Sequence, residues 1–214
     1  HLARLDGVRD RVLVGQFGGA VGTLAALGAV GLEVQRLLMA ELGLRVPEVA
    51  WHVARDRVAE VACLLGLLSG TLGKMAAEIA LLSRTEIGEL REPFVEGRGA
   101  SSTMPQKRNP IGAEVVVAAA KVVRQNLALI LESMVQDGER GTGPWQVEWE
   151  GIPEAFILTD GALLQMTELI GGLEVDRERM RLNLGLTRGM IAAEAVMMAL
   201  APRIGRQRAH DLVY

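Results

Sequence analysis

The feature that most constrains this chain is a very long run of residues with the periodicity of an α-helix. From about Val53 to Leu90, apolar side chains recur every three or four residues, which predicts a core helix of roughly ten turns. The same pattern predicts a second long helix from Pro110 to about Gln136 and a third from Gln146 to Ile170. At 1.5 Å rise per residue, three such helices of roughly 40 Å or more form an elongated bundle.

The remainder of the chain is also predicted to be helical. Helices are expected from Leu2 to about Val14 and from Gly31 to Leu42, the second ended by Gly43, and shorter helices are expected to start at Asp176, Thr187 and Arg206. Half of the residues are hydrophobic but only 3% are aromatic, a composition that favours helices packed on helices. No strand pattern is visible. The sequence therefore predicts an all-α fold of long antiparallel helices.

One part of the second long helix indicates more than one subunit. The stretch from Val115 to Ala120 is apolar on every side, which a single helix at the surface of a monomer does not tolerate. Such a helix requires neighbours all around it, and long apolar helices leave large faces for other chains. We therefore expect an obligate homo-oligomer.

The composition excludes several classes of protein. Lys and Arg number 23 against 26 Asp and Glu, a formal charge of −3, which argues against nucleic acid as a partner. The single cysteine, Cys63, is expected to be buried and inert, and the first residues lack the layout of a signal peptide, so a cytoplasmic location is expected. The uncharged segment from Val12 to Leu32 is long enough for a membrane span. Gln16 and six glycines instead favour a kinked or closely packed segment inside a protein.

The segment from Arg91 to Asn109 is predicted to be an exposed loop, because it combines prolines, glycines and alternating charges. Its part from Arg91 to Met104 is expected to be mobile without ligand. Asn109 is suited to cap the following helix and Pro110 to occupy its first position. Lys107 lies beside the positive end of that helix, and together they would make a site for a small carboxylate. On these residues alone, Asn109 is equally well explained as a structural cap and Lys107 as a solvated loop lysine.

The other polar residues of this segment are ambiguous by themselves. Glu114 lies about one turn inside the helix, where an acid can simply complement the helix dipole. The hydroxyl residues from Ser101 to Thr103 have no nearby His or Asp in sequence, so they indicate no serine-hydrolase triad, and alone they are typical of a solvated loop.

A family resemblance resolves part of this ambiguity. The run Ser101-Ser-Thr-Met-Pro-Gln-Lys-Arg-Asn-Pro110, with Glu114 following, resembles the signature loop of the fumarase, aspartase, argininosuccinate lyase and adenylosuccinate lyase superfamily at every fixed position. The segment Gly19-Ala-Val-Gly-Thr23 resembles the glycine-rich region of the same superfamily. Among its members, the flanking sequences, including Glu139-Arg140 and Gly143 to Trp149, are most similar to the carboxymuconate cycloisomerases.

The resemblance implies roles for individual residues. Ser101 would move the carbon-bound proton, Lys107 and Asn109 would hold the substrate carboxylate that takes up charge, and Glu114 corresponds to the residue that orients a catalytic histidine in the lyases. The residues implied in substrate binding are Ser102, Thr103, Met104, Arg140 and Thr23. No metal or organic cofactor is implied. Trp145 and Trp149 are expected in a core or an interface, or alternatively in a wall of the substrate site.

The resemblance also has consequences for the organisation of the chain. The upstream region that carries the catalytic histidine has no counterpart, and His1, His52 and His210 are expected to be structural or solvated. Residues 1–202 would form the central bundle without its N-terminal part, and residues 203–214 would begin a small C-terminal helical domain. The implied assembly is a homotetramer with active sites shared by three subunits.

The reaction that the resemblance to the carboxymuconate cycloisomerases implies is the lactonising conversion of 3-carboxy-cis,cis-muconate to 4-carboxymuconolactone in the protocatechuate branch of aromatic degradation. The alternatives are a lyase of the adenylosuccinate or argininosuccinate type, which releases fumarate, and an inactive helical scaffold. The substrate is expected to be a small di- or tricarboxylate or a sulfonated analogue.

Overall fold

The structure of the chain is a computed structural model, and it describes residues 1–94, 103–104 and 107–214. The described residues divide into two compact units, one formed by His1–Glu78 and Ile111–Gly171 and the other by Ile79–Pro110 and Gly172–Tyr214. The all-α fold is confirmed, since these residues form eight α-helices and only two very short strands. The boundary expected at residue 202 stays a prediction.

The first unit contains the long helices. Its elements are α1 (Leu2–Val12), a 3₁₀ helix (Ala25–Val30), α2 (Gly31–Leu42), most of α3 (Asp56–Leu82), α4 (Ile111–Glu132) and α5 (Pro144–Gly171). The helix α2 has its predicted bounds. It ends at Gly43 because this residue adopts a left-handed conformation with φ of 66°.

The core of the first unit lies between α4 and α5. The side chains that are almost completely buried there are Val116, Val123, Ile130, Met166 and Leu169. Small residues let the helices approach closely. A Cβ atom on Gly73 of α3 would lie only 2.7 Å from the Cβ of Ala120 in α4, and one on Gly66 would lie 2.7 Å from Leu127.

These contacts also give the helix directions. As the residue number rises along α3 from 66 to 73, its neighbour in α4 falls from 127 to 120, so the two helices are antiparallel. The helices α4 and α5 are antiparallel for the same reason. Gly151 contacts Ile130, while the side-chain amide of Asn126 donates a 2.8 Å hydrogen bond to the carboxylate of Glu154. The predicted antiparallel arrangement is thus confirmed for the three long helices.

The second unit is built around a short β ribbon. Strand β1 (Leu90–Arg91) pairs antiparallel with β2 (Glu174–Val175), with Leu90 opposite Val175. Three helices follow, α6 (Arg177–Leu184), α7 (Ala193–Ile204) and α8 (Arg206–Val213). The side chain of Asp176 caps α6 by accepting a hydrogen bond from the amide of Arg179.

Several predicted boundaries are wrong. The helix expected from Val53 to Leu90 is α3, which starts three residues later and ends eight residues earlier. It ends there because the amide of Glu89 bonds back to the carbonyl of Leu82 around a turn in which Gly88 has a φ of 64°. The prediction of no strands is also wrong, because a two-residue strand has no measurable periodicity.

Smaller corrections concern the other elements. The helix α4 begins at Ile111, one residue after Pro110, so the capping position does not fall on Asn109 as predicted, and α4 ends four residues before Gln136. The helix α5 begins two residues earlier than expected. The helix predicted from Thr187 starts at residue 193, after a 3₁₀ turn at Met190–Ala192. Cys63 is half-buried rather than buried.

The candidate membrane segment from Val12 to Leu32 is not a continuous helix. The helix α1 ends at Val12, Val14 forms a bridge with Arg45, and the 3₁₀ helix contains a non-helical residue at Gly28. Within the described ranges, α3 is the one helix with the length and apolar composition of a membrane span, a composition that it shares with core helices of packed bundles.

Candidate functional site

The predicted catalytic residues are distributed over the two units. Ser101 and Ser102 lie outside the described residues. Lys107 and Asn109 belong to the second unit, where the Lys107 side chain is exposed and Asn109 is half-buried. Glu114 belongs to the first unit, in the first turn of α4, and its side chain is exposed. An acid at that position is stabilised by the helix dipole.

The backbone of Lys107 contacts that of Met104. The amide of Lys107 donates a 3.0 Å hydrogen bond to the carbonyl of Met104. Thr103 and Met104, both expected to bind substrate, are exposed. The side chain of Lys107 is exposed, so its ammonium is accessible to an anion.

The residue between the two predicted carboxylate ligands, Arg108, is held by several contacts. Its Nη1 donates to Oε2 of Glu174 at 3.0 Å, and its Nη2 donates to Oε1 of the same carboxylate at 2.8 Å. Nη2 also donates to the carbonyl of Glu92, and the guanidinium carbon lies 5.9 Å from the centre of the Phe94 ring. The hydrogen bond from Arg108 lowers the pKa of the Glu174 carboxyl below its ordinary value.

A second group of predicted residues lies in the first unit, around the glycine-rich segment. The guanidinium of Arg140 donates a 3.2 Å hydrogen bond to the carbonyl of Ala20, three residues before Thr23. It also lies 4.6 Å from the centre of the Trp145 ring, a distance at which cation–π attraction is effective. The structure thus places the Arg140 guanidinium against the segment that contains Thr23, and a shared role of the two residues in substrate binding stays a prediction.

The two tryptophans at the start of α5 pack against each other. Their ring centres are 5.1 Å apart in an edge-to-face arrangement, and Trp149 is 56% exposed. They are therefore not part of the core of this chain. An aromatic pair of which one ring is exposed and the other is half-buried beside an arginine is suited to line an interface or a substrate site.

The glycine-rich segment Gly19–Thr23 and the residues just before it are held by polar contacts with Trp51 and His52. The side chain of Gln16 accepts a hydrogen bond from the amide of Trp51 and lies 3.0 Å from Nδ1 of His52. The other ring nitrogen, Nε2, lies 2.8 Å from the carbonyl of Gly19, which requires the ring proton on Nε2. His52 therefore holds the backbone in place.

The other two histidines contact surface groups. His1 lies 2.8 Å from the hydroxyl of Thr71, and His210 stacks on Tyr214 beside Asp211. These contacts, with those of His52, agree with the structural or solvated roles expected from the sequence.

A buried ion pair that the sequence did not reveal lies next to this segment. Arg55 forms a two-pronged contact with Glu148, in which Nε is 2.9 Å from Oε1 and Nη2 contacts Oε2. The side chain of Arg55 is 11% exposed and that of Glu148 is 2% exposed. The guanidinium also lies 5.4 Å from the centre of the Trp51 ring. The pair thus joins Arg55, which closely follows Trp51 and His52 in the chain, to the first turns of α5.

The described residues contain no group of three or more His, Cys, Asp or Glu side chains that could hold a metal ion. Two of the predicted site residues are cationic: the exposed Lys107 in one unit and Arg140 in the other. Cations of this kind suit carboxylates.

Comparison with known proteins defines the class. The family described as lyase matches residues 1–124. The crystal structure of the 3-carboxy-cis,cis-muconate lactonizing enzyme from Pseudomonas putida is 48% identical and has a TM-score of 0.89, covering 99% of this chain and 46% of that one. The chain therefore belongs to the lyase family of the fumarase and aspartase superfamily.

The similarity is not confined to the signature segment. The 3-carboxy-cis,cis-muconate cycloisomerase of Pseudomonas aeruginosa is 53% identical over 213 residues, which cover 100% of this chain and 46% of that protein. Trans-aconitate decarboxylase 1 of Mycosarcoma maydis is 47% identical over 214 residues, 100% of this chain and 43% of that protein. The chain thus spans about half the length of the relatives it matches.

Proposed function

We propose that this chain is the central part of a cofactor-independent cycloisomerase that converts 3-carboxy-cis,cis-muconate to 4-carboxymuconolactone. The observation that carries the proposal is the 53% identity to the Pseudomonas aeruginosa cycloisomerase over the entire chain. The intact signature residues Ser101, Lys107 and Asn109 support an active enzyme rather than an inactive scaffold. A place in the protocatechuate branch of aromatic degradation and in the cytoplasm belongs to the same proposal.

The proposed reaction requires stabilisation of negative charge. A carboxylate of the muconate adds to a conjugated double bond, and the electrons of that bond move onto a second carboxylate to give an enolate-like intermediate. The exposed ammonium of Lys107 and the amide of Asn109 would hold this second carboxylate, because its charge rises during the reaction. Ser101 would then deliver the proton to carbon and recover one from solvent.

The role of Glu114 would differ from its role in the fumarate-releasing lyases. In the reverse direction the leaving group is itself a carboxylate, whose conjugate acid has a pKa of about 4. Such a group departs without being protonated. A pair of Glu114 and a histidine supplied by another part of the protein would therefore matter less here than in the lyases.

The assembly is also part of the proposal. The outer face of α5 carries Ile157, which is 69% exposed, and Leu164, which is 61% exposed, and on α4 Val115 is 55% exposed. Such apolar helix faces are stable only when another surface covers them. We infer a homotetramer in which these faces pack on identical chains and the Lys107 and Arg140 regions of different subunits contribute to shared sites.

The test uses the protein expressed from its complete reading frame. Addition of the enzyme to 3-carboxymuconate should abolish the ultraviolet absorbance of the conjugated diene and yield one lactone. Ser101→Ala should lower kcat by about 10²-fold or more with little change in KM, as expected for loss of a proton-transfer group. Ser102→Ala is the matched control and should be milder. A protein that leaves the substrate unchanged would contradict the proposal.

A second candidate activity is decarboxylation of a tricarboxylate, which the 47% identity to trans-aconitate decarboxylase 1 favours. The same enzyme preparation should be assayed with trans-aconitate for release of carbon dioxide. Argininosuccinate and adenylosuccinate should be assayed for release of fumarate. Turnover of one of these compounds without turnover of carboxymuconate would replace the proposed reaction.

A further inference from the structure

The contacts of Arg108 join three parts of the second unit. Its guanidinium reaches both oxygens of Glu174 in β2 and the carbonyl of Glu92, the residue that follows β1. Since β1 and β2 are paired, Arg108 closes a ring of contacts at the place where the chain leaves the β ribbon. The side chain of Arg108 thereby ties its own backbone to the β ribbon.

This arrangement needs an arginine. The planar guanidinium donates in two directions at once, to a carboxylate with both of its terminal nitrogens and to a backbone carbonyl with one of them. A lysine ammonium is a single point of charge and does not reproduce the two-pronged geometry. The Phe94 ring centre lies 5.9 Å from the guanidinium carbon, a distance at which a weak cation–π attraction acts.

We propose that Arg108 is a positioning residue: anchored on Glu174 and on the carbonyl of Glu92, it fixes the backbone from which Lys107 and Asn109 reach the substrate. The inference rests on the proposed function, which assigns these two neighbours to carboxylate binding. A displacement of about 1 Å of a binding group is enough to reduce a rate by about 10²-fold. The anchor therefore acts on substrate binding and turnover through its neighbours.

The exposure of the pair separates this role from a purely structural one. The side chains of Arg108 and Glu174 are 33% and 47% exposed, and exposed ion pairs contribute little to stability. Loss of the anchor should therefore lower the melting temperature only slightly, while it alters the kinetic constants strongly. If the ion pair had a structural role alone, the variants would show the small change in melting temperature without a change in kcat or KM.

The kinetic test uses variants of the complete protein with carboxymuconate as substrate. Arg108→Lys should raise KM and lower kcat/KM by about 10- to 100-fold. Glu174→Gln should change both constants in the same direction but by a smaller factor, because Arg108 keeps its hydrogen bond to the carbonyl of Glu92. The double variant Arg108→Gln with Glu174→Gln should have the same kcat/KM as Arg108→Gln alone, because both changes break the same ion pair. The matched control is Glu178→Gln, which removes the exposed pair of Glu178 and Arg181 on α6 and should leave activity unchanged.

A second measurement does not depend on the substrate. Hydrogen exchange of the peptide that contains residues 107–109 should be faster in Glu174→Gln than in wild type, and unchanged in Glu178→Gln. If wild type does not turn over carboxymuconate, the proposed function fails while the exchange result still tests the anchor. Equal exchange rates in wild type, Glu174→Gln and Glu178→Gln would overturn the positioning role. It would also be overturned if the losses in kcat/KM caused by Arg108→Gln and Glu174→Gln were additive in the double variant.

Discussion

Replacement of Arg55 by methionine should destabilise the protein strongly. The change removes the partner of the Glu148 carboxylate, whose side chain is only 2% exposed, and leaves that charge without a counter-charge away from water. Loss of one member of a buried ion pair typically costs about 3–5 kcal/mol. The aliphatic part of methionine replaces the arginine stem in volume, so the expected loss is mainly electrostatic.

A second variant separates the two contributions. In Arg55→Met with Glu148→Leu, no buried charge remains, and apolar replacement of a whole buried pair is often neutral. The double variant should therefore recover most of the lost stability. The control is Arg11→Met, which removes the exposed pair of Arg11 and Glu60 and should have little or no effect.

The assay is equilibrium urea denaturation of the complete protein, followed by circular dichroism at fixed protein concentration, since assembly makes apparent stability concentration-dependent. The free energy of unfolding should fall in Arg55→Met and return in the double variant. A loss in Arg55→Met no larger than in the Arg11 control would refute the reasoning, as would a double variant less stable than the single one.

Three further predictions follow from the packing and the charges. Gly73→Ala should destabilise the protein by about 1–3 kcal/mol in denaturation, because its Cβ would lie 2.7 Å from that of Ala120, whereas Gly70→Ala, with nothing within 4 Å, should stabilise it by about 0.5–1 kcal/mol. Gly161→Leu, in the open outer part of α5, should preserve helicity but dissociate the proposed tetramer in light scattering; an intact tetramer would contradict the proposed interface. The folded state lowers the pKa of Glu174 below its ordinary 4.5, so its stabilising contribution is complete above pH 4.5 and is lost as the pH falls through the lowered value. The difference in melting temperature between wild type and Glu174→Gln should shrink only under acid conditions, and a difference that grows on acidification would be the wrong sign.

The parts of the fold predicted correctly are those in which one local signal is strong. The helix α2 has a clear apolar period and a glycine at its end, and α4 and α5 have long periodic runs between turn residues. The predicted C-terminal bound of α3 is wrong because one isoleucine, Ile87, and one leucine, Leu90, continue the apolar pattern into the following turn and strand. Nothing in the apolar pattern distinguishes those residues from another helical turn.

The candidate site was predictable only where residue type and motif coincide. Lys107 and Asn109 stood out because they occupy fixed positions of the signature, and their roles remain predictions. The pairing of Arg55 with Glu148 could not be read from the sequence, since 93 residues separate them and each resembles an ordinary helix-surface charge. Arg108 was overlooked because its importance lies in partners 16 and 66 residues away.

The hydrogen bond between Asn126 and Glu154 has a consequence for how uniquely α4 and α5 can pair. The interface is made largely of alanine, valine and other small apolar residues, so a slide of one helix along the other by one turn, about 5.4 Å, would still bury apolar surface. Such a slide would separate the amide of Asn126, which is 7% exposed, from the Glu154 carboxylate and leave it without an acceptor. A single polar contact thus makes one register more favourable than its neighbours. We expect Asn126→Leu to retain helicity but to lose the sharp unfolding transition of a uniquely packed pair.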